Sequence, residues 1–250
     1  MRLTRIHVAG PLRSARRYAL PENAARHLIR VLRSNVGDAL TLFDGSGGEY
    51  AARIHSVRRD DVEVDVGEHD PVERESPLRL TLLQGVSRGE RMDWVVQKAT
   101  ELGVTTIVPL LTARSVVNLP GVQAEKKVQH WRAIAIGACE QSGRNRVPQI
   151  AFPASLQHYL GSLLQAGAPE ATAESRLLLS PLADTRLIDA PLNHQTVSLL
   201  IGPEGGLSQE EQELAQLRGF MAVRLGPRVL RTETAAVSAM TVLQLRCGDL

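Results

Sequence analysis

Apolar runs and amphipathic stretches alternate along the chain after residue 77. Continuous apolar runs predict strands at Leu78–Val86, Val104–Leu110, Arg176–Ser180, Thr196–Ile201 and Phe220–Leu225. A period near 3.6 predicts helices at Glu90–Leu102, Ala124–Gln141, Ala154–Gln165, Ser208–Leu217 and Thr232–Leu245. Because apolar strands that alternate with helices are typical of a parallel sheet covered on both faces, this region predicts an α/β domain with a mostly parallel sheet.

The first 72 residues follow a different pattern, with closely spaced strands and one helix. The predicted strands are Leu3–Val8, Ala39–Phe43, Glu49–Val57 and Val62–Val66, and the helix is Asn23–Arg33. The polar segment Asp70–Pro77 contains two prolines, a composition that is typical of a linker. We therefore predict a small N-terminal β-barrel domain over residues 1–72 and an α/β domain over residues 73–250.

Composition indicates the cellular location of the protein and which kinds of site it lacks. No apolar run approaches the roughly 18 residues of a membrane span, and the amino terminus lacks an apolar signal core. The two cysteines, Cys139 and Cys247, are far apart, and no cluster of ligating residues has metal spacing. These features predict a cytoplasmic protein without a membrane segment, a disulfide framework or a metal site.

Arginines are concentrated at the amino end of the chain. Residues 1–33 contain eight arginines and one acid, Glu22, whereas the whole chain has a net charge of only +2. This asymmetry indicates a polyanionic partner, because guanidinium groups suit bidentate phosphate contacts; an arginine-rich solvated surface is the alternative. With only 3% aromatic residues, base stacking would be minor and contacts to RNA shape and phosphates would dominate.

The first candidate functional segment is Gly202-Pro203-Glu204-Gly205-Gly206. It follows the apolar strand Thr196–Ile201 and precedes Ser208 and Glu211, whose spacing predicts a capping box. Ligands of open α/β sheets bind where strands reach their carboxyl edge, and glycines there let the backbone approach a ligand. An ordinary tight strand-to-helix turn is the alternative.

The second segment runs from Leu225 to Ala235 and combines a Gly-Pro turn with a helix start. Thr232 or Thr234 could cap that helix. Arg228, Arg231 and Glu233 lie at the same turn, and an arginine-flanked helix start suits a carboxylate or phosphate. By contrast, the Gly45–Gly48 run lies between two predicted strands, a position that predicts a hairpin turn rather than a phosphate loop.

Taken together, these two segments resemble the second and third signature regions of the SPOUT methyltransferases. Three further stretches resemble the RsmE family of 16S rRNA (uracil-N3)-methyltransferases: His27–Arg33, Gln97–Val104 and Glu140–Pro148. The five matches occur in the order of that family, and the resemblance extends over nearly the whole chain. Ala113 departs from the pattern, because relatives often have glutamate there, and residues 166–174 match nothing.

The resemblance implies a PUA-like barrel followed by a SPOUT domain with a C-terminal trefoil knot. It implies a homodimer that uses S-adenosyl-L-methionine to methylate N3 of the uridine at position 1498 of 16S rRNA, within the small ribosomal subunit. The cofactor-binding residues it implies are Leu179, Ser180, Ile201, Gly202, Pro203, Glu204, Gly205, Leu225, Gly226, Val229, Leu230, Arg231 and Thr234. Candidate RNA contacts are Arg5, Arg16, Arg17, Arg30, Arg33, Arg144 and Arg146.

Removal of the uracil N3 proton leaves a negative charge that must be stabilised. Arg231 is our candidate for that electrostatic role. Glu233 is a candidate proton acceptor, although it could instead hold Arg228 or Arg231 in position. Two other functions remain open at this stage: another SPOUT RNA methyltransferase, acting on a ribose 2′-O or on tRNA, and a non-catalytic RNA-binding factor of ribosome assembly.

Overall fold

The computed structural model describes residues 4–59, 61–117, 119–165, 174–192 and 195–250. The chain forms two compact units. One contains Met1–Glu75 with Ile136–Val147, and the other contains Ser76–Ala135 with Pro148–Leu250. Residues 136–147, which the sequence assigns to the second domain, thus belong to the first compact unit. The domain boundary between residues 72 and 73 stays a prediction.

The first unit is built on a mixed sheet that has five strands among the described residues. Its elements are β1 (Thr4–His7), β2 (Arg17–Ala19), α1 (Glu22–Arg26), a π-helical turn (His27–Val31), β3 (Ala39–Phe43), β4 (Glu49–Arg58) and β5 (Asp61–Asp70). The strand order is β1-β3-β4-β5-β2, in which β1 and β3 are parallel and the other pairs are antiparallel. Buried aliphatic side chains such as Ile6, Leu42, Ile54 and Val64 form its core.

Most predicted elements of the first unit are confirmed, with two corrections. The predicted helix Asn23–Arg33 is instead a short α-helix followed by the π-helical turn, which ends at Val31. Strand β2 was not predicted, because three residues are too few to show an alternating pattern.

The glycine-rich loop between β3 and β4 is a hairpin connection, as predicted. These strands pair antiparallel. The Ser46 N–H donates to Asp44 Oδ1 at 3.0 Å, and the Gly48 N–H donates to Glu73 Oε1 at 3.0 Å. Because carboxylates of the protein already occupy these amides, they are not available as a phosphate cradle.

Buried ion pairs join the predicted linker to the rest of the first unit. Arg144 makes a two-pronged contact with Glu75, with donor–acceptor distances of 3.1 and 2.5 Å. Arg5 donates to Glu49 and to Asn145, each at 2.5 Å. The side chains of Arg5 and Arg144 are only 6% and 5% exposed. Both were predicted as RNA contacts, but in this structure their guanidinium groups face partners inside the unit.

Replacement of Arg144 by alanine should destabilise the protein. The change leaves the Glu75 carboxylate with little solvent and without its cation, which costs about 3 kcal/mol in unfolding free energy. Arg146→Ala is the matched control, because Arg146 is 54% exposed in its pair with Glu73 and such pairs contribute less than about 1 kcal/mol. Urea denaturation followed by circular dichroism measures both unfolding free energies. Equal losses would show that the buried ion pair of Arg144 does not stabilise the fold.

The second unit is built on a parallel sheet with seven strands among the described residues. Its strands are β6 (Arg79–Gly85), β7 (Thr106–Leu111), β8 (Gln149–Ile150), β9 (Ala154–Ser155), β10 (Ser175–Leu179), β11 (Thr196–Ile201) and β12 (Met221–Val223). Its helices are α2 (Glu90–Glu101), α3 (Gly121–Ser142), α4 (Leu156–Gln165), α5 (Gln209–Leu217) and α6 (Thr232–Cys247), with a 3₁₀ turn at Leu187–Asp189. The end of α3 belongs to the first unit.

The strand order β12-β10-β11-β6-β7-β8 places β6 and β11 at the centre, and β9 pairs with β7. Every pairing in this sheet is parallel, which confirms the predicted mostly parallel architecture. Leu83, Leu178 and Leu200 are fully buried in the core that the strands share with α4 and α5. The carboxyl ends of β10, β11 and β6 therefore lie side by side.

The predicted helix over Ala154–Gln165 needs correction, because its first two residues form β9 and α4 begins at Leu156. Strand β8 was also not predicted. Of the loose stretch 166–174, all but Glu174 lies outside the described residues. No helix in the described part of the chain combines the length and the apolar character that crossing a membrane requires.

Candidate active site at the carboxyl edge of the parallel sheet

A cavity of about 690 Å³ lies at the carboxyl ends of the central strands of the second unit. Three turns form most of its wall: residues 179–182 after β10, residues 201–207 after β11, and residues 225–226 with 228–233 after β12. Arg91, Arg114, Gln212 and Ala235 complete the lining. This is the edge at which parallel sheets bind ligands.

The structure brings nearly all of the predicted site residues into this wall. Those that line the cavity are Leu179, Ser180, Ile201, Gly202, Pro203, Glu204, Gly205, Leu225, Gly226, Val229, Leu230, Arg231 and Glu233. Thr234 is the exception, because it is exposed on the first turn of α6. A helix advances roughly 100° per residue, so Thr234 points away from Thr232, whose hydroxyl bonds Gly202.

Backbone segments approach each other closely at the first turn. A methyl group added to Gly85 would overlap the nitrogen of Pro203, and one added to Gly202 would lie 2.9 Å from the Gly206 carbonyl carbon. The turn closes with a hydrogen bond from the Gly206 N–H to the Pro203 carbonyl at 2.8 Å, and Gly206 has φ +69°. Glycine is required here because side chains would separate the two segments or strain the turn.

Helix α6 is anchored to the same turn by Thr232. Its hydroxyl donates to the Gly202 carbonyl at 2.7 Å and accepts from Gln84 Nε2 at 3.0 Å. The prediction that Thr232 or Thr234 caps α6 is wrong, because Arg231 occupies the N-cap position and no side chain makes the capping bond. The predicted capping box of α5 is confirmed, with Ser208 and Glu211 exchanging hydrogen bonds of 3.2 and 2.9 Å.

Glu204 extends from the first turn toward the start of α2. Its Oε1 accepts from the Arg88 N–H at 3.0 Å and from Arg91 Nη1 at 2.7 Å. Partial burial raises the pKa of this carboxyl, but hydrogen bonds from its own N–H, from Arg88 and from Arg91 outweigh burial and place the pKa below its ordinary value. Glu204 is therefore an ionised part of the wall at neutral pH.

Glu233 contributes a second carboxylate, from the start of α6. Its Oε1 lies 3.9 Å from Arg91 Nε. Its Oε2 is buried and has no hydrogen-bond partner among the described residues. The sequence suggested Arg228 or Arg231 as the partner, whereas Arg91 is the cation that the structure places within ion-pair distance. A buried oxygen without a donor is costly unless a ligand supplies one.

Arg91 and Arg114 were not predicted as site residues. Arg91 lies on the first turn of α2, which follows β6, and Arg114 follows β7. Arg114 Nη1 donates to the Gly205 carbonyl at 2.9 Å. The adjacent Ala113 N–H donates to Glu211 Oε1 at 2.7 Å, so this segment is held against α5 through its backbone. Their position after apolar strands was the available signal, but only the strand order shows that β6 lies next to β11 and that β7 follows on the other side of β6.

The predicted RNA-contact arginines divide into two groups. Arg16, Arg30 and Arg33 are exposed. Arg17 is 48% exposed in a pair with Asp65, and Arg146 is likewise at the surface. With the buried Arg5 and Arg144 set apart, the others lie at the surface. Within the described ranges, no group of three or more potential ligating residues is arranged to hold a metal ion.

Removal of the Thr232 hydroxyl should destabilise the second unit. Thr232→Val keeps the shape of the side chain but leaves the Gly202 carbonyl and the Gln84 amide without their partner, which costs about 2 kcal/mol in unfolding free energy. The control is Thr241→Val on the same helix, whose hydroxyl donates only to the Val237 carbonyl one turn earlier; its loss should stay below about 0.5 kcal/mol. Chemical denaturation compares the two, and equal effects would contradict the anchoring role.

The chain matches known protein families over most of its length. Residues 74–244 match the model of an RNA methyltransferase domain, and residues 20–67 match that of an RNA methyltransferase PUA domain. The ribosomal RNA small subunit methyltransferase E of Buchnera aphidicola from Schizaphis graminum is 32% identical over 249 residues, which cover 100% of this chain and 98% of that protein. The Bacillus subtilis protein of the same name is 32% identical over 90% of this chain and 89% of its own length.

Solved structures show the same similarity. The structure of the ribosomal RNA small subunit methyltransferase E of Neisseria gonorrhoeae, bound to S-adenosyl methionine, is 36% identical in sequence to this chain. The two superimpose with a TM-score of 0.89, and the match covers 100% of each chain. A putative methyltransferase of Legionella pneumophila in complex with the same cofactor is 42% identical with a TM-score of 0.92, again over both full chains. The predicted fold class, a SPOUT α/β domain with a PUA-like domain, is confirmed. The chain belongs to the RNA methyltransferase family that includes the small-subunit ribosomal RNA methyltransferases E.

Proposed function

We propose that this protein is an S-adenosyl-L-methionine-dependent methyltransferase that acts on N3 of the uridine at position 1498 of 16S rRNA. The observation that carries the proposal is the cavity at the carboxyl edge of the parallel sheet, where both predicted signature turns meet. The relatives named as small-subunit ribosomal RNA methyltransferases E, and the two structures solved with the cofactor, support it.

The lining of the cavity fits S-adenosyl-L-methionine chemically. Aliphatic side chains such as Leu179, Ile201 and Leu225 suit an adenine ring, and the glycines at 202, 205 and 206 let the wall approach a ligand closely. Glu233 lines the cavity, so its carboxylate is a candidate acceptor for a donor on a bound molecule. The residues proposed to hold the cofactor are Leu179, Ser180, Ile201, Gly202, Pro203, Glu204, Gly205, Leu225, Gly226, Val229, Leu230 and Arg231, and Thr234 is left out.

When bound, the cofactor supplies an electrophilic methyl group on a sulfonium centre. The chain must align uracil N3 with that group, because alignment accounts for much of the rate of an in-line displacement. Arg231, exposed in the wall, would stabilise the negative charge that develops on the uracil. Glu233, in the wall of the cavity, would accept the N3 proton on its carboxylate.

The arginine-rich part of the first unit is the proposed RNA surface. Its exposed residues Arg16, Arg17, Arg30 and Arg33 would contact phosphates, together with Arg146. Arg5 and Arg144 would act indirectly, since their buried hydrogen bonds hold Glu75 and Asn145, next to Arg146, in place. A polyanionic partner agrees with the charge asymmetry of the chain.

Three further properties complete the proposal. The trefoil knot and the homodimer remain predictions drawn from family resemblance, and the cytoplasmic location remains a prediction drawn from composition. Leu245 on α6 and the nearby Ile188 are 62% and 48% exposed, respectively. Arg246 donates to the carbonyls of Leu187 and Ala190, which brings that 3₁₀ turn beside α6. An apolar patch of this kind supports a second copy of the chain as its cover.

The purified protein should add one methyl group to small ribosomal subunits from a strain that lacks its own enzyme of this family. Mass spectrometry of the digested RNA should show one 3-methyluridine at position 1498. Arg231→Ala should lower the rate at least a hundredfold, because stabilisation of the developing charge is lost, while its melting temperature stays unchanged. A methyl group on a ribose or on tRNA would identify a different SPOUT activity, and binding of subunits without any methyl transfer would indicate an assembly factor.

Binding to the small subunit should weaken steeply with salt. Each lost phosphate contact reduces the slope of log K against log salt by about 0.7 to 0.9. The double variant Arg30→Gln/Arg33→Gln should therefore reduce the slope by up to about 2 and weaken binding about tenfold at low salt. Arg79→Gln, an exposed arginine at the amino end of β6, is the control. An unchanged slope in the double variant would remove these arginines from the RNA surface.

A further inference from the structure

Arg91 links two carboxylates that come from different turns of the cavity. Its Nη1 lies 2.7 Å from Glu204 Oε1, and its Nε lies 3.9 Å from Glu233 Oε1. Glu204 belongs to the turn after β11, whereas Glu233 belongs to the start of α6. Arg91 comes from a third element, the first turn of α2. Neither signature segment contains Arg91, so the sequence motifs did not predict it as a site residue.

The two carboxylates depend on Arg91 to different degrees. Glu204 keeps the Arg88 N–H as a second donor at 3.0 Å, so its position does not rest on Arg91 alone. Glu233 has Arg91 as its cation among the described residues, and its Oε2 has no donor there. The Glu233 side chain is only 16% exposed but borders the cavity, so without the guanidinium its charge can be hydrated from the cavity while its orientation is no longer held. Removal of Arg91 should therefore affect Glu233 more than Glu204.

We infer that Arg91 is a positioning residue for methyl transfer. It holds the Glu233 carboxylate toward α2 and so fixes the orientation of this carboxylate in the wall of the cavity. A guanidinium suits this task because its nitrogens diverge in one plane and can address two carboxylates at once. The inference rests on the proposed function and adds to it a residue that acts through Glu233 without touching the reacting atoms.

The alternative is that Arg91 merely stabilises the start of α2. Its side chain is 45% exposed, and ion pairs at that exposure contribute little to stability. The helix is already held by its buried face, where Met92, Val95, Val96 and Ala99 are at most 1% exposed. Loss of the Arg91 side chain should therefore leave the fold intact.

Two measurements on the full-length protein separate the roles. Calorimetry gives the Kd for S-adenosyl-L-methionine, and single-turnover transfer to unmethylated small subunits, with both substrates saturating, gives the rate of the step. Arg91→Gln should lower that rate at least tenfold and raise the Kd no more than about threefold. Glu233→Gln should show the same pattern, whereas Glu204→Gln should mainly raise the Kd. Arg91→Lys, which keeps a cation near Glu233, should recover most of the rate.

The control is Arg79→Gln, which removes the same charge at the opposite, amino end of β6 and should match the unmodified protein. The inference is overturned if Arg91→Gln keeps the normal rate, if it raises only the Kd as Glu204→Gln does, or if Arg91→Lys is no better than Arg91→Gln. It is also overturned if the melting temperature of Arg91→Gln falls together with its rate. An unmodified protein that binds the cofactor but transfers no methyl group would instead defeat the proposed function.

Discussion

The candidate active site depends on the close approach of the carboxyl ends of β6 and β11. Gly85 and the Gly202–Pro203 peptide pack backbone against backbone, with no room for a side chain at either glycine. The Thr232 hydroxyl binds the Gly202 carbonyl, and Gln84 binds that hydroxyl in turn. One buried set of contacts thus fixes the first turn, the end of β6 and the start of α6. The cavity exists because these three segments are held together.

Charges in the wall are arranged around that anchor. Glu204 and Glu233 extend from the two turns toward α2, where Arg91 meets both. Arg114 reaches the Gly205 carbonyl from the strand on the other side of β6. The site therefore draws on at least four segments that are distant in sequence. An arrangement of this kind allows charge to be placed around a bound molecule from several directions.

Sequence reasoning recovered the segments of the site better than the contacts within it. The two glycine-bearing turns could be found because a strand, a turn and a capped helix each leave a local pattern. The partner of Glu233 could not be found, since it depends on which strands are neighbours in the sheet. The burial of individual arginines could not be predicted for the same reason. Arg5 and Arg144 look like their exposed counterparts in sequence, and only the fold shows that Glu49 and Glu75 lie against them.

By itself, the sequence determined the alternation of strands and helices, the parallel sheet, the basic amino end and the glycine turns, because these follow from hydrophobic period and local backbone preference. Family resemblance added the type of reaction. The tertiary structure alone decided that 136–147 joins the first compact unit, that Thr232 anchors rather than caps α6, and that Arg91 completes the wall of the cavity. Each of these depends on contacts between residues far apart in the chain, which no local pattern encodes.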